Sequence, residues 1–454
     1  MRRRVTSAGL VVAVLGSVLL AQPAAAHGIA EAGATGSAPL WFVLLVGGAV
    51  VAGSFLFATL LTDHEAIRAV NGWRLPVPVP TAARRGTTSV LAVLGVLALA
   101  VVLAVGLVGP ARGRSNLAVL VVFGVWWAGY TMSVYLVGNT WPALNPWRAL
   151  ARGLPRLSDR ALPDHGDWPA ALGLLGVIWL EVVSPVGDDP RMLALVVGAY
   201  TAVTLGGAAV YGDAWFRRVD PLTRVFECFG RLAPLARTDD GVALRLPGSA
   251  AADWRTNGSA GPPLIIALLW GTTFDGLVAT PAWRTVAAPL VDAGVPAAPL
   301  YLLGLLGGFA VFVVAYRAAA RWSRHTAEST LTTGYIARWF VPALLPIAAG
   351  YHVAHFLGYL LRLLPPVAAA LSAPLAPPAV GLLGLPGWYG SLQLVFVLGG
   401  HVFAIWVAHG LSFDLFPGKL QPIRSQYPFT AVMVLYTMTS MWIIAQPYAA
   451  PPGV

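Results

Sequence analysis

The chain has 454 residues, of which 57% are hydrophobic and only 11% charged, and its formal net charge is +10. Apolar runs of about 20 residues, the length that crosses a lipid bilayer, recur along it, so the composition excludes a water-soluble fold of this size. The arginines lie between these runs, where they orient the chain and contact anionic lipid, so the positive charge does not indicate nucleic acid. The single cysteine, Cys228, excludes an internal disulfide framework and a multi-cysteine metal site.

The first 26 residues have the pattern of a secretory signal peptide. Three arginines at positions 2–4 precede an apolar core and a run of alanines that ends at Ala26. Cleavage after Ala26 would leave His27 at the mature N-terminus, outside the cytoplasm. A terminal histidine offers both its amino group and its imidazole to copper, which makes His27 a candidate metal ligand. The alternative is that His27 is simply the residue after the cleavage site.

Ten apolar segments follow and predict an all-α, polytopic membrane helical bundle of about ten transmembrane helices, in one integral membrane domain over 27–454. With the mature N-terminus outside, 21 basic residues fall in cytoplasmic connections and five in outer ones, in agreement with the positive-inside rule. The sequence therefore predicts a multi-pass plasma-membrane protein surrounded by lipid. The predicted crossings are 39–61, 88–109, 117–138, 169–186, 191–212, 262–280, 298–317, 338–361, 390–411 and 427–446.

Two connections also predict local structure. After the third crossing, Asn145 followed by Pro146 predicts the N-cap and first position of a short helix at the inner interface. The outer segment 363–389 is rich in proline, alanine, leucine and glycine. This composition predicts a re-entrant or interfacial cover rather than a regular helix.

Four of the eight histidines lie inside apolar segments, His352 and His355 in the eighth and His401 and His409 in the ninth. An ionisable side chain at bilayer depth is rare and generally faces a partner, a cavity or a ligand. The helical rise places the first three at one level in the outer half of the bilayer, whereas His409 lies about 12 Å deeper toward the cytoplasm. We therefore predict a metal or haem site that uses at least two of the first three. For His409 we expect a helix end and hydrogen bonding at the inner interface.

Two acids, Glu181 in the fourth segment and Asp275 in the sixth, also reach the outer half of the bilayer. Imidazoles with one or two carboxylates form a ligand set for zinc, copper or iron. An open position on such an ion could activate water, with Glu181 or Asp275 as the catalytic base. The alternatives are that the histidines are hydrogen-bonded core residues and that Glu181 lies close enough to the surface to be hydrated.

Several short motifs carry a resemblance to a known family. Over nearly the whole mature chain the sequence resembles polytopic bacterial membrane proteins of the fenitrothion hydrolase family. The resemblance implies an organophosphate-ester hydrolase activity, although Gly410 stands after His409 where the family pattern has a polar or charged residue. The motifs are His27-Gly28, Asn145-Pro146-Trp147-Arg148, Val353-Ala354-His355-Phe356, Gly400-His401-Val402 with Val407-Ala408-His409, and Ser425-Gln426-Tyr427.

Three functional hypotheses follow. The main one is a membrane protein with a histidine-centred copper or zinc site, although the scarcity of Met and Cys argues against copper(I) transport. The second is a metal-dependent hydrolase of a small-molecule substrate, in which His352, His355 and His401 hold the ion. It lacks both the Gly-x-Ser-x-Gly and the His-Glu-x-x-His motif. The third is a haem b protein with one axial histidine from each of the eighth and ninth segments, for example His355 and His401.

Overall fold

The structure, a computed structural model, describes residues 39–158, 160–239, 241–252 and 261–454. The predicted signal peptide and the candidate ligand His27 lie outside the described residues. Within them the chain is an all-α polytopic helical bundle, which confirms the predicted fold class.

The helices are numbered here in chain order. They are α1 Leu40–Ala58, α2 His64–Gly72, α3 Thr81–Val108, α4 Leu117–Leu136, α5 Trp141–Leu144, α6 Pro146–Ala151, α7 Trp168–Val183, α8 Pro190–Tyr211, α9 Asp213–Arg218, α10 Pro221–Gly230, α11 Ser249–Ala252, α12 Pro262–Val278, α13 Pro281–Asp292, α14 Ala297–Thr326, α15 Thr333–Phe340, α16 Leu345–Ser372, α17 Tyr389–Leu415 and α18 Leu420–Ala445. Short 3₁₀ turns are formed by Gly113–Ser115, Pro185–Gly187 and Val341–Leu344.

Among the described residues, eight helical segments are long and apolar enough to cross a membrane. They are α1, α3, α4, α8, α14, the joined α15 and α16, α17 and α18. The pair α12 and α13, bent by 75°, would form a ninth, and α7 is shorter, with 16 residues. Every predicted segment thus overlaps a helix, and the number of ten crossings stays a prediction.

The bend between α12 and α13 follows from local sequence. Pro281 occupies the first turn of α13, and a proline disfavours helical backbone in the residue before it. Thr280 accordingly is extended, and its side chain caps α13 by accepting a hydrogen bond from the Trp283 N–H at 3.2 Å. The break leaves Asp275 within the last turn of α12.

Helix α16 runs further than expected, to Ser372, so the prediction for the first part of segment 363–389 is wrong. It continues through Pro365 and Pro366, and the chain beyond it bonds to a carbonyl that Pro366 leaves without a helical donor. Pro366 has no N–H, which leaves the Arg362 carbonyl without its helical donor, and the Leu383 N–H donates to that carbonyl at 3.0 Å. Residues 373–388 contain no helix, and this bond folds them back onto α16.

Helix α4 contains an unusually wide stretch. Leu120–Tyr130 is π-helical and packs against α16. Such helices are rare and generally short, and they are frequent at functional sites. Trp126 and Trp127, both in this stretch, line a cavity described below.

The polar connections pack at one end of the bundle. Three strands, β1 Arg74–Pro78, β2 Leu235–Arg237 and β3 Gly241–Arg245, form a small antiparallel sheet. Strand β3 lies in the middle, so the order is β1-β3-β2. Asn145 caps α6 as predicted, accepting a hydrogen bond from the Arg148 N–H at 2.9 Å. In α10, Cys228 is buried, and this burial raises the pKa of its thiol to about 12.

Candidate functional site

His355 is the membrane-segment histidine that contacts an acid. Its Nε2 lies 3.2 Å from Oδ2 of Asp275, which joins the middle of α16 to the end of α12. Both side chains keep some exposure, 27% for His355 and 14% for Asp275. The pair is therefore accessible from a cavity and is not sealed in the core.

Two cavities meet at His355. The first, called the acidic cavity, has a volume of about 340 Å³ and is lined by Glu181, Asp275, His355 and Tyr359, with mostly apolar walls. The second, called the arginine cavity, has a volume of about 480 Å³ and is lined by Tyr351, His355, Tyr359, Arg362 and the segment 384–387. His355 and Tyr359 line both cavities.

The two cavities differ in the ionisable residues that line them. Among the described residues, the ionisable acids on the wall of the acidic cavity are Glu181 and Asp275, and neither Lys nor Arg lines it. Arg362 lines the arginine cavity, where the described wall has neither Asp nor Glu.

One face of α16 connects the site to the end of the helix. Tyr351, His355, Tyr359 and Arg362 are spaced by four, four and three residues, so they stack on one face. All four line the arginine cavity. Tyr351 is 1% exposed, and in the described part of the chain its hydroxyl has no hydrogen-bond partner.

His352 turns away from this site. It is fully buried, and its Nδ1 lies 3.1 Å from the Tyr135 hydroxyl, among the rings of Trp127, Phe229 and Phe356. Three residues of an α-helix leave side chains about 60° apart around the axis. His352 consequently faces α4 and α10, whereas His355 faces α12.

His401 is also fully buried, and its Nδ1 lies 2.9 Å from the Val397 carbonyl of its own helix. Next to it, α16 and α17 approach closely at two glycines. A Cβ on Gly350 would lie 2.8 Å from the Cα of Gly400, which means that the two backbones are in contact. The contact leaves no gap for a macrocycle between the helices at this level, so the geometry does not favour haem between His355 and His401.

The predicted ligands are thus not gathered into one set. The described residues include no group of three or more His, Cys, Asp or Glu side chains placed to hold a metal ion. Of His352, His355 and His401, only His355 lines the cavity that the two predicted acids, Glu181 and Asp275, also line. A metal centre remains a prediction, and His27 lies outside the described residues.

His409 hydrogen-bonds at the far end of α17, but it does not end the helix. Its Nε2 donates to the Leu61 carbonyl at 2.8 Å, and its Nδ1 lies 3.3 Å from Nε2 of Gln426. Gln426 also donates to the Ser412 hydroxyl at 2.7 Å. The helix continues to Leu415 because Gly410 and the residues after it pack in the core, so the prediction that His409 ends the helix is wrong.

Comparison with known proteins gives no match. No family model fits the chain, no curated protein matches it, and no solved structure matches its fold. The resemblance to the fenitrothion hydrolase family therefore stays an expectation from the sequence.

Three residues that line the site, Tyr351, Tyr359 and Arg362, were not predicted from the sequence. Arg362 is one of the five basic residues assigned above to the outer connections. Their helical spacing from His355 was the available signal, but it required knowing that α16 continues past residue 361. The predicted end of the eighth segment hid this relation.

Proposed function

We propose that this protein is a multi-pass plasma-membrane hydrolase that cleaves neutral, lipophilic esters at the His355–Asp275 pair. The observation that carries the proposal is the 3.2 Å contact between His355 Nε2 and Asp275 Oδ2 at the junction of two cavities. An apolar cavity with a few convergent polar groups is the usual form of a small-molecule site. The resemblance to an organophosphate hydrolase family, whose label implies neutral ester substrates, favours the same class.

The chemistry assigns one role to each polar group. Asp275 accepts a hydrogen bond from His355 Nε2–H and fixes the tautomer, so Nδ1 is the base that takes a proton from water. The hydroxide attacks the ester carbon or phosphorus, and the bond to the leaving oxygen breaks. Glu181, the second acid of the same cavity, gives a proton to that oxygen, and the products are an acid and an alcohol.

A metal ion is the second candidate for the same site. Two ligand atoms that each lie about 2.1 Å from one zinc or copper ion are roughly 3 Å apart, which matches the distance between His355 Nε2 and Asp275 Oδ2. Glu181 lines the same cavity but is not placed as a third ligand, since the described residues include no group of three or more such side chains around one position. When bound, the ion would act as a Lewis acid that activates water for attack on the ester.

The test is hydrolysis by the purified full chain in lipid vesicles. The substrates are p-nitrophenyl butyrate and a neutral dialkyl p-nitrophenyl phosphate, assayed with and without added zinc or copper. We expect His355→Ala to lower kcat/KM by about 100-fold or more because the general base is lost. Asp275→Asn should lower kcat with little change in KM, because it positions the base without holding the ester.

The matched control is His325→Ala, which removes an exposed imidazole at the end of α14. It should hydrolyse both esters at the wild-type rate. Elemental analysis of the same preparation separates the two candidates. A stoichiometric metal ion that is present in wild type and absent from Asp275→Asn supports the metal site. If folded wild-type protein hydrolyses neither ester with or without metal, the proposed function is wrong.

A further inference from the structure

We propose that the acidic cavity binds one hydrocarbon chain, so that the substrate is a single-chain lipid ester that enters from the bilayer between α7 and α8. The ester group would lie at the His355–Asp275 pair, and the chain would run along the cavity away from the acids. This inference rests on the proposed function for the reaction. It adds the substrate class, the position of the chain and the route of entry.

Helices α7 and α12 form one wall of this cavity, and they run side by side in the same direction. Asp167, just before α7, accepts a hydrogen bond from the Gly261 N–H, just before α12, so the two helices begin next to each other. Glu181 and Asp275 each lie 14 residues beyond these starts. The two acids are therefore at one level, at the same end of the cavity.

The cavity extends well beyond the acids. Leu174 and Leu268 also line it, and each lies seven residues before the acid of its own helix, about 10 Å along the axis. Leu222 lines the far end, where its neighbour Pro221 packs against Gly173. The volume of about 340 Å³ is near the lower limit of the range of about 300–1,000 Å³ that ligand sites occupy. An elongated cavity of this size suits one chain and not the two chains of a phospholipid.

Polar side chains on the far part of the wall turn to partners within the protein. Tyr200 donates its hydroxyl hydrogen to Asp220, and Trp147 Nε1–H donates to the Thr201 hydroxyl at 2.8 Å. Thr272 donates to carbonyls of its own helix. A wall of this kind gives a water molecule few hydrogen-bond partners, and hydrocarbon is the occupant that matches it.

The cavity opens sideways between α7 and α8. Helix α7 packs against α12 and α14, whereas α8 packs against α3 and α6, so the two helices part after the turn that joins them. Val177 lines the cavity from α7 and is 40% exposed, and the half-buried Val196 and Val197 line it from α8. An exposed valine on an apolar helix at this depth contacts lipid chains. Val177 lies one turn before Glu181, so an ester that enters here arrives next to the acids.

The first experiment compares short and long esters. The full chain in lipid vesicles is assayed with p-nitrophenyl butyrate and p-nitrophenyl laurate, for wild type and for Val197→Phe, whose ring would fill the middle of the cavity. The ratio of variant to wild-type kcat/KM is taken for each ester, because the partition of the ester into lipid cancels in that ratio. The ratio should be roughly 10-fold lower for laurate than for butyrate, because the long chain loses its space.

A second variant tests the opening. Val177→Trp narrows it and should also lower the hydrolysis of laurate more than that of butyrate, which can reach His355 from the arginine cavity as well. The matched control is Leu172→Trp, which enlarges an exposed residue of the same helix outside both cavity walls. It should hydrolyse both esters at the wild-type rate.

Photolabelling tests binding of the chain without turnover. Hexadecanol with a diazirine on its terminal carbon is irradiated with wild-type protein in vesicles, and the labelled peptides are identified by mass spectrometry. We expect saturable labelling of the peptides that contain Pro146 or Leu222, at the far end of the cavity, and its loss in Val197→Phe.

The outcomes separate the chain site from the reaction. Absence of saturable labelling at the far end in wild type would overturn the chain site, even if both esters are hydrolysed. Equal ratios for the two esters in Val197→Phe with unchanged thermal stability would overturn it too. Saturable labelling of wild-type protein that hydrolyses neither ester would refute the proposed function and leave the chain site standing.

Discussion

His355 and His409 lie in neighbouring helices of one bundle, yet their surroundings differ. His355 contacts one carboxylate and lines two cavities. His409 is fully buried, and both ring nitrogens meet protein groups, the Leu61 carbonyl and the Gln426 amide. An imidazole at membrane depth can therefore fasten helices together or face a ligand, and access to a cavity separates the two roles.

The largest effect expected outside the site follows from the contact between α16 and α17. A Cβ on Gly400 would lie 2.6 Å from the Pro346 carbonyl oxygen, whereas one on Gly399 would meet no atom within 4 Å. Gly400→Ala should lower the free energy of unfolding by about 1–3 kcal/mol, because backbone must move. Gly399→Ala should leave it unchanged or raise it by up to about 1 kcal/mol, because alanine favours helix.

Unfolding in a detergent titration measures this difference. Equal stability of the two variants would show that the helices do not meet at Gly350 and Gly400. In that case the position of His355 along the bundle and the orientation of its side chain toward α12 would also be in question, because this contact holds α16 in place.

The next effect separates the two histidines directly. His409→Ala leaves the Leu61 carbonyl without this donor and removes one contact of the Gln426 amide, so the free energy of unfolding should fall by about 1–3 kcal/mol. Its ester hydrolysis per folded molecule should match that of wild type. His355→Ala should show the reverse pattern, with hydrolysis lost and thermal stability changed little. The comparison fails if His409→Ala loses activity while its stability is unchanged.

The smallest effect concerns the buried thiol of Cys228, which lines neither cavity. Burial raises the pKa of the Cys228 thiol to about 12, so the reactive thiolate forms only as the pH approaches that value. At pH 8 the folded protein should react very slowly with Ellman's reagent, and denatured protein should react at once. Fast labelling of folded protein at pH 8 would mean that burial in α10 does not protect the thiol.

The sequence predicted the helices well, because the length of an apolar run is set by the thickness of the bilayer. It also predicted the α6 cap at Asn145, where the signal is local. It failed where distant parts of the chain decide the outcome. Helix α16 continues past Pro365 and Pro366, and the Leu383 N–H donates to the carbonyl that Pro366 leaves without a helical donor, a contact that the composition of 363–389 does not reveal.

The candidate site was predicted in part for the same reason. Depth along a helix follows from residue number, and Glu181, Asp275 and His355, which were all predicted to reach the outer half of the bilayer, line one cavity. Direction around a helix depends on which neighbours pack against each face. His352 and His401 share that depth but point into protein, toward Tyr135 and along α17, which no residue count reveals.

Chemical rescue tests the central claim most directly. The full chain with His355→Ala is assayed for hydrolysis of p-nitrophenyl butyrate in the presence of increasing imidazole, with His325→Ala as the control. If the His355 side chain is the base, imidazole should restore a saturable part of the lost rate, because it fits the space that the substitution leaves. A His355→Ala protein as active as wild type, or one inactive and unresponsive to imidazole although folded, would contradict the account.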